Sequence, residues 1–301
     1  ALLLAAPPAA QPEELRVVTA VGVRVRTAAD PAAEVIERLG LGKVVPCLER
    51  AGEATVGDRK GPFCRTRLAD GRQGWFFEPL TRPFDPSRPD EAWSAIVAER
   101  GEQFGAGQQG RENLWGYHRF LLDRVAEAGD PAVRARWELM ELKLVRDQAA
   151  SFLGGDPRIY RDEAQGPRLK RQAIWDFVDR SRGTPSSEEG AWMAVEHGHD
   201  FECEGYTPCY LAWHENIECE YLKRFPEGPH AGEACRRMAA SADEAAAAAK
   251  KGELDAEAAN EVAKSAATLG RCLDKVKGRE AEATRKALET AAAAARAAQR
   301  K

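Results

Sequence analysis

Leu68-Ala69-Asp70-Gly71-Arg72-Gln73-Gly74-Trp75-Phe76 is the stretch that decides the fold of the front of this chain. An Asp-Gly pair supplies the positive φ angles a tight hairpin turn requires, and strand-forming residues stand on both sides of it: Phe63 to Leu68 before, Trp75 to Phe77 after. Gly74, with no Cβ, lets the backbone pass close to a neighbour just before Trp75. Outward from this hairpin, Val17-Val18, Val21 to Val25, Val35-Ile36 and Val44 to Leu48 are further short β runs. Turn formers separate them at Asp30-Pro31, Gly40-Leu41-Gly42 and Gly57-Asp58. The spacing predicts a small β-barrel over residues 15–84.

Several of these residues fall into a known pattern. Val23-Arg24-Val25-Arg26 as first strand, Val35-Ile36 as a step, Gly42 at a turn and the closing Asp70-Gly71-Arg72-Gln73-Gly74-Trp75 together resemble the bacterial SH3-like (SH3b) domain. The chain departs from it where Arg24 replaces an Asn, Ala28-Ala29 a Gly-Pro pair and Phe63-Cys64 a Trp-Tyr pair, so part of the aromatic ligand surface is missing. The resemblance implies recognition of a cell-wall peptide or an envelope protein partner, without catalysis, through residues at Arg24, Phe63, Asp70, Trp75 and Phe77. Trp75 reads either as barrel core or as one wall of a peptide groove.

After Pro83, Pro86 and Pro89 the periodicity changes. Residues 85–90 read as a proline-rich linker, and from Glu91 apolar residues recur at helical spacing, as in Leu114, Tyr117, Leu121 and Val125. Breaks at Gly129-Asp130-Pro131, Gly154-Gly155-Asp156-Pro157, Gly166-Pro167 and Gly183-Thr184-Pro185 divide an all-α domain over 91–250. Residues 251–301 form Ala-rich C-terminal helices, and about eight helices are expected in the whole remainder. Tyr221-Leu222-Lys223-Arg224-Phe225-Pro226-Glu227-Gly228-Pro229-His230-Ala231 resembles the inter-helix turn of tetratricopeptide-like repeats. Val262, Ala266, Leu269, Leu273 and Val276 form a packing seam, whereas the run from Arg279 has Leu288 as its sole large anchor and its end is expected to fray.

The 301 residues, 44% of them hydrophobic, suffice for more than one core, and a net charge of -4 argues against a nucleic-acid partner. Residues 1–14 begin with the small apolar run Ala1 to Ala10 and read as the remnant of a secretory signal. That run is too short to span a bilayer, and no other approaches membrane length. The expectation is an exported protein, periplasmic or associated with the cell envelope.

In an oxidising compartment the seven cysteines are expected to pair. Cys47 and Cys64 lie on consecutive strands, Cys203 and Cys209 flank the Gly205 to Pro208 turn, and Cys219 and Cys235 stand at equal distances from the Pro226 to Pro229 turn, leaving Cys272 odd. The competing reading is zinc, because His197, His199, Asp200, Cys203, Cys209 and His214 concentrate ligand types in a short span, though in no standard spacing. No nucleophile elbow, phosphate loop or dinucleotide fingerprint is present, so catalytic residues are not assigned and no resident cofactor is expected. A site in the helical domain is the remaining enzymatic alternative. Glu215 and Glu218 read as a solvated helix face.

Overall fold

The computed structural model describes residues 13–101, 104, 107–198 and 203–300. It divides into two compact units, residues 1–127 and 128–301.

The first unit begins with eight strands: β1 (Glu14–Val18), β2 (Val23–Arg26), β3 (Val35–Leu39), β4 (Val44–Cys47), β5 (Glu49–Val56), β6 (Arg59–Arg67), β7 (Gln73–Phe77) and, after a 3-10 turn at Glu78–Leu80, β8 (Thr81–Pro83). They form antiparallel sheets with strand orders β3-β2-β7-β6-β5 and β4-β1-β8. The Asp70-Gly71 stretch joins β6 to β7 through the loop Leu68 to Arg72. Gly71 takes φ +86°, the Leu68 N–H donates to the Arg72 carbonyl at 2.8 Å, and Asp70 Oδ1 accepts from the Arg72 N–H at 3.0 Å. Gly74 is required by its neighbours: a Cβ there would fall 2.6 Å from Val25 Cγ1 and 2.7 Å from Ile36 Cδ1. The inward residues Val23, Val25, Leu39, Val45, Cys64, Leu68 and Phe76 make one buried core with Val18 and Cys47. Cys47 and Cys64 are bonded across it, their Cα atoms 5.6 Å apart, and closing that loop in the unfolded chain contributes about 3 kcal/mol.

Two helices complete this unit, α1 (Pro89–Arg100) and α2 (Gln108–Glu127). The proline-spaced residues 85–90 connect β8 to α1 without ending the unit. Phe84 meets Trp93 at 5.3 Å between ring centroids, Trp93 meets Phe120 at 6.0 Å, and Arg100 Nε donates to the Thr19 carbonyl at 2.8 Å. Gly42, at φ +77°, and Gly116 lie where a Cβ would run into the Phe120 ring and the Val21 side chain, so the sheet and α2 meet closely.

The second unit holds α3 (Pro131–Asp147), α4 (Ala149–Phe152), a hairpin of β9 (Ile159–Asp162) and β10 (Gly166–Leu169), then α5 (Arg171–Arg180), α6 (Pro185–Glu196), α7 (Thr207–Trp213), α8 (Glu218–Arg224), α9 (Ala231–Lys251), α10 (Ala256–Cys272) and α11 (Arg279–Ala298). The hairpin departs from the all-α expectation. Asp162 Oδ1 accepts from the backbone N–H groups of Ala164 and Gln165 to form its turn. Arg158 holds it down, donating to both oxygens of Glu141 on α3, a carboxylate 2% exposed, at 2.8 and 2.6 Å. Asp130 and Asp255 cap α3 and α10 by accepting from the third N–H beyond them, as short acceptors at an N-cap do. α11 runs to Ala298 and packs on α9 and α10, burying Ala281, Ala287, Leu288, Ala291, Ala292 and Ala295. Small side chains allow helices to approach closely enough for methyl groups to fill the seam.

Two further bridges occur in this unit. Cys203 bonds Cys209, with Cα atoms 5.5 Å apart. Cys219 bonds Cys272 of α10, also at 5.5 Å, and this replaces the expected Cys219 to Cys235 pair. Cys235 instead lies buried along α9, where the Thr284 hydroxyl of α11 donates to its carbonyl at 2.9 Å, and burial pushes its thiol above the ordinary range. Equal distance from a turn in sequence did not determine which helix faced Cys219. Three bridges fit an exported protein, and no helix among the described residues is long and apolar enough to cross a membrane.

Limited proteolysis is expected to cut at residues 128–130, leaving α1 and α2 on the fragment that carries both sheets; a cut at residues 85–90 that frees the strands alone would contradict this. Alkylation of the unreduced, denatured protein followed by mass mapping should find one thiol, at Cys235, and a label on Cys272 would contradict the pairing.

Candidate functional site

Strand alternation builds a surface on the outside of the larger sheet. On β6 the inward residues are Cys64, Thr66 and Leu68, so Phe63, Arg65 and Arg67 point out; on β7 the inward Phe76 puts Trp75 and Phe77 out. The register aligns Glu49, Arg65, Trp75 and Arg26 in one row across β5, β6, β7 and β2. Arg24 and Arg38 face each other directly on β2 and β3.

Charge is concentrated on this face. Arg65 is paired with Glu49 at 2.8 Å and lies 6.0 Å from the centroid of the half-buried Trp75, but its Nε is buried without an acceptor. Arg24 and Arg38 are exposed and have no carboxylate partner among the described residues. Burial, and then the nearby Arg24 charge, lower the Arg26 guanidinium below its ordinary value; Asp30 opposes this, and Arg38 adds to it. Like charges directly opposite on neighbouring strands are destabilising. An arginine cluster around a half-buried tryptophan offers charge-assisted, fork-shaped hydrogen bonds to carboxylates beside an apolar contact.

Of the residues singled out in the sequence, Arg24, Phe63, Trp75 and Phe77 share this face. Phe63 and Phe77 are buried, 1% and 4% exposed, with ring centroids 5.5 Å apart, so they support the face rather than present themselves on it. Asp70 lies in the β6–β7 loop and works locally. It holds Arg72, which also reaches the Ile36 carbonyl at 3.2 Å and Glu37 at 3.4 Å, fastening the loop to β3. Arg26, Arg38 and Arg65 join the face without having been candidates from the sequence; the Phe63, Arg65, Arg67 alternation carries that signal for Arg65 alone.

The described members of the histidine and cysteine set do not converge. Cys203 and Cys209 are bonded to one another, His197 Nε2 lies 2.7 Å from the Leu169 carbonyl, and His199 and Asp200 lie outside the described residues. No group of three or more His, Cys, Asp or Glu that could hold a metal occurs among the described residues.

His214 has a different setting. In the 3-10 turn His214–Asn216 its Nδ1 lies 2.8 Å from Glu218 Oε2 and its Nε2 2.8 Å from Ser241 Oγ of α9. Glu218, expected on a solvated face, is 5% exposed and His214 8%. The order of acid, imidazole and hydroxyl is that of a serine-hydrolase relay. Ser241, however, sits inside the 21-residue α9, whose backbone N–H groups are committed to helical bonds and cannot stabilise an oxyanion. The cluster therefore satisfies buried polar groups and ties the turn, α8 and α9 together. Its serine had no signal in the sequence, being 27 residues from His214.

His214→Ala should lower the stability of the helical unit in urea by about 2–3 kcal/mol, because it strands the Glu218 carboxylate, and Ser241→Ala by about 1 kcal/mol. Unchanged midpoints would contradict a structural role. No protein-family model matches the chain, and no curated protein or solved structure matches it.

Proposed function

We propose that the chain is a non-catalytic binding protein of the bacterial cell envelope, whose SH3-like front domain holds an acidic peptide segment on the Arg24, Arg26, Arg38, Arg65 and Trp75 face. The cross-strand Arg24 and Arg38 pair is the observation that carries this reading. Two unpartnered guanidinium groups set opposite each other cost stability, and an anion placed between them relieves that cost. Cell-wall peptides, which bear several carboxylates, and acidic segments of envelope proteins both supply such groups. The three disulfides support an oxidising location, and the Asp-Gly-Arg-x-Gly-Trp pattern supports the SH3-like assignment.

Calorimetric titration of the full chain with soluble cell-wall peptides should show binding that weakens as salt is raised, since exposed charges are screened. The double substitution Arg24→Glu with Arg38→Glu should weaken it roughly a hundredfold. Binding that persists in that variant at unchanged strength would overturn the assignment of this face.

A further inference from the structure

A second recess lies in the same unit, where the Gly40 to Val44 turn between β3 and β4 meets α2. It encloses about 610 Å³, within the range of small-ligand sites. Phe84 and Trp93 provide an aromatic base. Arg124 lies over Trp93, its guanidinium carbon 4.2 Å from the ring centroid.

The charges of this recess are unevenly matched. Asp123 is paired with Arg119 at 3.1 Å, and Glu127 with Arg124 at 2.7 Å. Lys43 is exposed on the turn with no carboxylate partner among the described residues, and Arg124 Nε is buried with no acceptor. Two acids are thus answered by two arginines, which leaves one ammonium, that of Lys43, without a counter-charge and one guanidinium N–H without an acceptor. A buried donor without an acceptor is uncommon in folded proteins.

We propose that this recess takes the free C-terminal carboxylate of a short peptide, with the carboxylate at Lys43 and Arg124 and the last side chain against Phe84 and Trp93. One surplus positive charge suits a monoanion, whereas the rim carboxylates Asp123 and Glu127 disfavour a phosphate dianion. The site shares no residue with the arginine face and stands or falls independently of it.

Calorimetry of the full chain with acetyl-Ala-Ala-Phe as free acid and as C-terminal amide tests this. The acid is expected to bind, the amide roughly tenfold more weakly, and the exposed substitution Lys43→Gln to bring the acid down to the amide's affinity. The Arg24→Glu with Arg38→Glu variant should bind the acid as the parent chain does. Equal affinity for acid and amide, no binding of either, no effect of Lys43→Gln, or loss in the sheet-face variant would each overturn the proposal.

Discussion

The register of β6 on β7 is the constraint on which the front unit depends. Side chains alternate along a strand, so placing Cys64 and Phe76 inward, where Cys64 meets Cys47, forces Phe63, Arg65 and Trp75 outward. A slip by one residue would bury Arg65 and expose the half-cystine. The Asp70-Gly71 loop sets that register from one end, and the disulfide holds it from the core. The arginine face is a geometric consequence of the same pairing that builds the interior, which is why core and candidate site cannot vary independently here.

The helical unit is held by different means. Its last three long helices bring few large side chains to their contacts and rely on alanine seams, so additional ties carry weight. The Cys219 to Cys272 bridge joins α8 to α10 across 53 residues of sequence, a separation for which loop closure contributes about 4 kcal/mol. One residue away, Glu218 joins the same helix to α9 through His214 and Ser241. The covalent and the polar tie therefore leave adjacent positions of α8 toward different helices.

Much of the front unit was legible because its signals are local: the Asp-Gly loop, the glycine before Trp75 and the period-two runs each act within a few residues. Addition of α1 and α2 to that unit was not, because Trp93 and Phe120 read simply as apolar helix positions and nothing in their spacing says which surface they cover. The same limit explains Cys235: symmetry about the Pro226 to Pro229 turn is a one-dimensional argument, while the partner of Cys219 is chosen by which helix packs on α8. Glu218 was read as solvated since its short helix is rich in charge, and its burial depends on His214, whose other ring nitrogen meets a serine of α9. The side of the sheet a residue takes was legible where alternation along one strand sufficed, as for Trp75 and Phe77, and the charge gathered there was not, where a neighbouring strand brought it, as for Arg38.

The claim at the centre is that the arginines opposed on β2 and β3 are there for a ligand and not for the fold. Urea unfolding of Arg38→Thr, followed by a signal from the front unit, tests it most directly. Relief of the like-charge pair and the β preference of threonine should leave the midpoint unchanged or raise stability by about 0.5 kcal/mol. A loss of 1 kcal/mol or more, on the order of a removed packing or hydrogen-bond contribution, would show that Arg38 serves the fold and would contradict the claim.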